Sequence, residues 1–123
     1  MLNKVVYVAL LVSDQSKALD FYTNVIGLEK RLDAPIPGGG RWLTVGVKGQ
    51  DFSLALWPGT PGRATPGSVV YTIGVENCRT AFETLKSRGV KFDPPEVLEL
   101  PFGKTARFQD ADGNQLQIVE FTF

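Results

Sequence analysis

Two stretches of this 123-residue chain follow one plan about sixty residues apart. VVYVALLVSDQSKALDFYTNVIGLE, from Val5 to Glu29, and SVVYTIGVENCRTAFETLKSRGVKF, from Ser68 to Phe92, each read as an apolar strand, a polar cap, an amphipathic helix, a glycine stop and a second strand. In the first copy Asp14 or Ser13 can accept hydrogen bonds from the free N–H groups that open a helix. Ala18, Leu19, Tyr22, Val25 and Ile26 then share one face, and Gly27 ends the helix. In the second copy Asn77 is the cap, Ala81, Phe82 and Leu85 form the stripe, and Gly89 is the stop. Asn77 follows Asp14 by 63 residues and Gly89 follows Gly27 by 62, so the register holds within one residue across a whole helix. A chain repeated in this way is constrained to build one module twice.

Beyond each helix come three strand-like runs, Lys30–Ala34, Arg41–Val47 and Phe52–Trp57 in the first half and Val90–Asp93, Lys104–Gln109 and Gln115–Phe121 in the second. Lys48-Gly49-Gln50-Asp51 and Asp112-Gly113 close the hairpins between the last two runs of each set. Residues Pro58–Gly67, PGTPGRATPG, favour neither helix nor sheet interior and read as a linker. The expectation is one α+β domain over 1–123, made of module 1–57, linker 58–67 and module 68–123, each module β-α-β-β-β. In the first strand Val6, Val8, Leu10 and Val12 alternate with Val5, Tyr7, Ala9 and Leu11. Both rows are apolar, which predicts that both faces are covered, one by helices and the other by the concave side of a curved sheet, a ligand or a partner subunit.

Thirteen basic and thirteen acidic side chains give no net charge, and no Lys/Arg run marks a surface that tracks phosphates. Nucleic acid is not an expected partner. The apolar run Val5–Val12 is far shorter than the roughly 20 residues that span a bilayer. With Cys78 as the single cysteine and no disulfide to form, the expectation is a soluble cytoplasmic protein with no membrane partner.

The pattern Asp-x-x-x-Ala-x-x-Phe-Tyr-x-x-x-x-Gly-Leu from Asp14 to Leu28, with GGRWLTV in the middle and the closing FQDADGNQLQIVEF, resembles the vicinal oxygen chelate superfamily of glyoxalase I, extradiol dioxygenases and bleomycin-resistance proteins. The resemblance covers almost the entire chain. It implies curved mixed sheets around a cup, helices on the outer face, and in the enzymes four His or Glu ligands to a divalent metal. Those positions fall at Tyr7, Ala55, Val70 and Gln117. Val70 follows Tyr7 by 63 residues and Gln117 follows Ala55 by 62, in agreement with the repeat.

Ala55 and Val70 carry no donor, Tyr7 is a phenol with an ordinary pKa near 10, Gln117 is a neutral amide, and the chain contains no histidine. No metal or other cofactor is therefore expected. Glu120 lies three positions past Gln117, on the opposite face of its strand, and reads as a solvated carboxylate. The turn Asp110-Ala111-Asp112-Gly113-Asn114 runs straight into a strand and reads as a hairpin rather than a calcium loop. No nucleophile and base can be assembled into a triad, so no catalytic residue is assigned.

Small residues, two aromatics and an amide on the cup-facing rows make up an apolar pocket with a few orienting polar groups. The expected ligand-binding residues are Tyr7, Trp42, Ala55, Trp57, Val70, Thr72, Phe102 and Gln117, with Phe52 and Phe108 also at the rim. Arg41 beside Trp42 reads as a solvated cation that could otherwise meet an anionic group. By resemblance to the bleomycin-resistance branch, the leading reading is a homodimer that sequesters an aromatic or amphipathic small molecule without metal. A lyase, isomerase or dioxygenase-like enzyme is the second reading. A structural or regulatory dimer with a filled cup is the third.

Overall fold

The computed structural model describes residues 2, 6–59, 70–101 and 103–122, and of residue 70 the backbone alone. Phe102 and residues 60–67 of the expected linker lie outside the described residues. The chain divides into two compact units, Met1–Ala64 and Thr65–Phe123.

The first unit contains β1 (Tyr7–Val12), α1 (Gln15–Asp20), β2 (Glu29–Pro35), β3 (Arg41–Gly46) and β4 (Ser53–Pro58). The strands form one sheet in the order β1-β4-β3-β2, with β1 and β4 parallel and the other pairs antiparallel. Asp14 caps α1, its carboxylate accepting from the Lys17 N–H at 3.0 Å. The helix runs on through a wider π turn over Phe21–Val25, in which Ile26 N–H reaches Phe21 O at 2.9 Å. Tyr22 is thereby turned wholly inward. One face of the sheet is apolar throughout: Leu10 and Val12 on β1, Leu54 and Leu56 on β4, and Leu43 and Val45 on β3 are all buried. Each contributes about 1.5–3 kcal/mol by leaving water. α1 packs on this side, where Gln15 donates to Leu56 O at 2.8 Å and Arg41 donates to Ser16 Oγ at 3.0 Å.

The second unit repeats the plan with β5 (Val70–Gly74), α2 (Cys78–Ser87), β6 (Leu98–Leu100), β7 (Gly103–Gln109) and β8 (Gln115–Phe121), in the order β5-β8-β7-β6. Asn77 caps α2 by accepting from Thr80 N–H at 3.0 Å. Phe82 and Leu85 are buried on the side of the sheet that carries Ala106, Phe108, Leu116 and Ile118. The fold is thus α+β, two four-stranded mixed sheets built from β-α-β-β-β modules, and neither sheet closes into a barrel.

The repeat is visible in the strand ladders. Ala9 pairs with Ala55 in the first unit; their counterparts 63 and 62 residues on, Thr72 and Gln117, pair in the second. Tyr7 with Ser53 likewise becomes Val70 with Gln115.

Two expectations need correction. Val90–Asp93 is not a strand: Phe92 makes a lone bridge to Phe108, and β6 forms only at Leu98–Leu100. Pro94 and Pro95 break the run, since proline brings no N–H to a ladder. In the first strand Leu10 and Val12 are buried on the helix side, while on the other face Tyr7 and Leu11 are half-buried and Ala9 is exposed. Phe108 is core rather than rim, 2% exposed on the helix side against Phe92. No helix among the described residues is long and apolar enough to cross a membrane.

Candidate functional site

Each sheet has a second face that no helix of its own unit covers. In the first unit it carries Tyr7, Ala9 and Leu11 on β1, Ser53, Ala55 and Trp57 on β4, and Trp42, Thr44 and Gly46 on β3, as the ladder register requires. Trp42 and Trp57 meet edge to face with ring centroids 6.1 Å apart, and Trp42 remains 41% exposed. Such a pair is favourable in itself and presents an aromatic wall to whatever lies beside it. Ala55 is fully buried, and Tyr7 is half-buried.

The same face holds a cation that was not expected. Arg31 lies across Gly46 and donates through Nη1 to Phe52 O at 3.1 Å and Ser53 Oγ at 3.0 Å, through Nη2 to Val47 O, and through Nε to Glu29 at 3.3 Å. The register shift between Lys30 and Asp33 turns it to this side. Arg41 behaves otherwise. It forms a bidentate pair with Asp33 at 3.0 and 2.7 Å on the helix side, so it is neither solvated alone nor beside the tryptophans' open wall. Hydrogen bonding to Arg41 holds the Asp33 carboxyl below its usual range, against the opposing effect of desolvation.

In the second unit the helix-free face carries Gln109 opposite Gln115, Arg107 opposite Gln117 and Thr72, and Thr105 opposite Val119 and Gly74. Gln117 donates to Thr72 Oγ1 at 2.7 Å, and Thr105 Oγ1 lies 3.3 Å from Gln117 Oε1 while bonding Ile118 O at 2.8 Å. Val70 opens β5 with its backbone opposite Gln115. Phe102 is outside the described residues. Glu120 does point to the opposite face from Gln117, but it is not simply solvated. Its Oε1 accepts from Cys78 N–H at 2.8 Å, satisfying a free donor at the start of α2. Burial, and then the Glu120 charge, push the Cys78 thiol up, with Arg79 and Lys104 opposing.

The chemistry of these positions does not fit the family's metal. Ala55 offers a methyl group, and the Gln117 amide is already held by Thr72 and Thr105. Among the described residues no three His, Cys, Asp or Glu side chains gather where an ion could sit. Asp110, the tempting carboxylate of the DADGN turn, accepts instead from Asp112 N–H, Asn114 N–H and Asn114 Nδ2 within 2.9–3.0 Å, which is a hairpin's own bonding.

Sequence reasoning missed Arg31 and Arg107. The signal for Arg107 was present, because a hairpin turn at residues 110–114 that pairs Gln109 with Gln115 also sets Arg107 opposite Gln117.

The chain is similar along its length to proteins of one kind. TnmS3, described as an antibiotic binding protein from Streptomyces sp. CB03234, is 34% identical, with a TM-score of 0.84 over 98% of both chains. A member of the glyoxalase/bleomycin resistance protein/dioxygenase superfamily from Sphaerobacter thermophilus DSM 20745 is 34% identical, with a TM-score of 0.81 over 97% of this chain and 98% of its own. YurT of Bacillus subtilis (strain 168) is 33% identical over 95% of this chain and 98% of its own. The model of the Glyoxalase/Bleomycin resistance protein/Dioxygenase superfamily matches residues 4–118, and with both modules in place the chain belongs to that superfamily.

Proposed function

We propose that this chain is a binding protein that holds an aromatic or amphipathic small molecule against a helix-free sheet face, without a metal ion. The observation that carries the reading is the Trp42–Trp57 pair, an aromatic wall left partly exposed beside the small side chains of Ala9 and Ala55. Support comes from the donor-poor residues at the family's ligand positions, Tyr7, Ala55, Val70 and Gln117, and from likeness to an antibiotic binding protein. On this reading the whole chain is one cytoplasmic domain, with module 1–57, linker 58–67 and module 68–123, and it works as a homodimer. The exposed Ala9 face of β1 leaves apolar surface for a ligand or a second copy.

Tryptophan emission tests the reading. Titration with naphthalene-2-carboxamide and other planar aromatic amides should quench the emission saturably. Trp57→Ala should weaken binding about two- to tenfold, the range expected for one lost aromatic contact. A panel of planar compounds that leaves the emission unchanged would contradict it.

A further inference from the structure

The helix-free face of the second sheet carries a cation that no ion pair holds among the described residues. Arg107 is exposed in the middle of β7, and among the described residues its guanidinium takes part in no hydrogen bond or ion pair. Its cross-strand neighbours on β8 and β5 are Gln117 and Thr72, and the residues two positions along β7 are Thr105 and Gln109, all neutral. Three carboxylates of this unit are engaged: Glu120 accepts from Cys78 N–H on the helix side, Asp110 holds its own turn, and Glu99 pairs with Arg79. Asp93 is the lateral neighbour of Arg107 next to the Phe92–Phe108 bridge, its N–H donating to Arg107 O at 2.9 Å, and its carboxylate forms no ion pair with the guanidinium. Arg31, the cation on the first unit's corresponding face, is consumed by carbonyl, hydroxyl and carboxylate oxygens of its own unit. Arg107 therefore differs from Arg31 in having its donors free.

We propose that Arg107, with Gln117 and Thr72 beside it, recognises the anionic group of a planar aromatic acid, namely a carboxylate, sulfonate or phenolate. This rests on the small-molecule reading above and involves residues of the second unit alone. A guanidinium presents parallel N–H donors that fit a carboxylate, and a planar acid can meet it without displacing an existing partner. The Gln117 amide is held in place by Thr72 and Thr105, so the neighbouring group is already oriented.

Calorimetric titration with matched probes, naphthalene-2-carboxylate and naphthalene-2-carboxamide, tests the inference. At low ionic strength the acid should bind about tenfold more tightly than the amide, and the gap should narrow as salt is added. Arg107→Gln should abolish the gap, and Arg107→Lys should restore part of it. The Arg107 Nε–H resonance should shift on addition of the acid and much less on addition of the amide. Equal affinity for the two probes, or a gap that survives Arg107→Gln, would overturn the inference and leave the small-molecule reading standing. Binding of neither probe would overturn both.

Discussion

At Gly46 the space of a side chain is taken by a guanidinium. A Cβ there would stand 2.5 Å from Arg31 Cζ, so alanine must drive Arg31 off Phe52 O, Val47 O and Ser53 Oγ. Gly46→Ala should lower stability by about 1–2 kcal/mol, the worth of a partly exposed set of charged hydrogen bonds. Urea unfolding should show a lower midpoint at unchanged m-value, and an unmoved midpoint would remove Arg31 from the list of structural side chains. Asp33 is a second such residue. Its carboxyl is held below the ordinary range in the folded state, so the pair with Arg41 contributes fully above the unfolded pKa of about 4 and is lost as pH falls through the lower folded value. Asp33→Asn should therefore shrink the loss of stability between about pH 7 and pH 3, as read by urea midpoints at each pH. Alternation counted back from Asp33 sets Arg31 on the helix side, and only the bulge between Lys30 and Asp33 reverses it. A register irregularity leaves no mark in residue types, which is why this side chain was not legible.

At the scale of elements the caps and stops were legible, because a cap is a local chemical event. Asp14 and Asn77 accept from the N–H groups three residues on, at 3.0 Å in both helices. Asn77→Ala should cost about 1 kcal/mol, measured by thermal or urea unfolding. The same terminus receives Glu120 from β8 at Cys78 N–H, a bond from 42 residues away that no local pattern announces. It also bears on Cys78, which is buried with a raised thiol pKa. The thiol of the native protein should resist an aromatic disulfide reagent at neutral pH and react promptly once unfolded; fast native labelling would place it in a different environment. The β6 region was misread because Val90–Asp93 has strand-like residues, whereas strand formation needs a partner ladder. Phe92 finds one bridge before Pro94 and Pro95 intervene.

For the whole molecule, the offset of 62 to 63 residues is a property of the ladders as well as of the sequence, since the Ala9–Ala55 pair is repeated as Thr72–Gln117. Alternation and hairpin turns therefore gave Ala55, Trp57, Thr72 and Gln117 their places in register. The tryptophans were legible as candidates because each is followed or preceded by polar or loop residues, and their pairing at 6.1 Å follows from adjacent strands. What the chain binds was not legible, because the charge on the helix-free faces depends on which arginine is already satisfied. On the proposed reading, this superfamily member binds its ligand with side chains alone. The direct measurement is calorimetric titration of chelator-treated protein with a planar aromatic probe, before and after addition of zinc or manganese. Saturable binding with the same affinity in both states is expected; binding that appears only after the metal is added would rule out recognition by side chains alone.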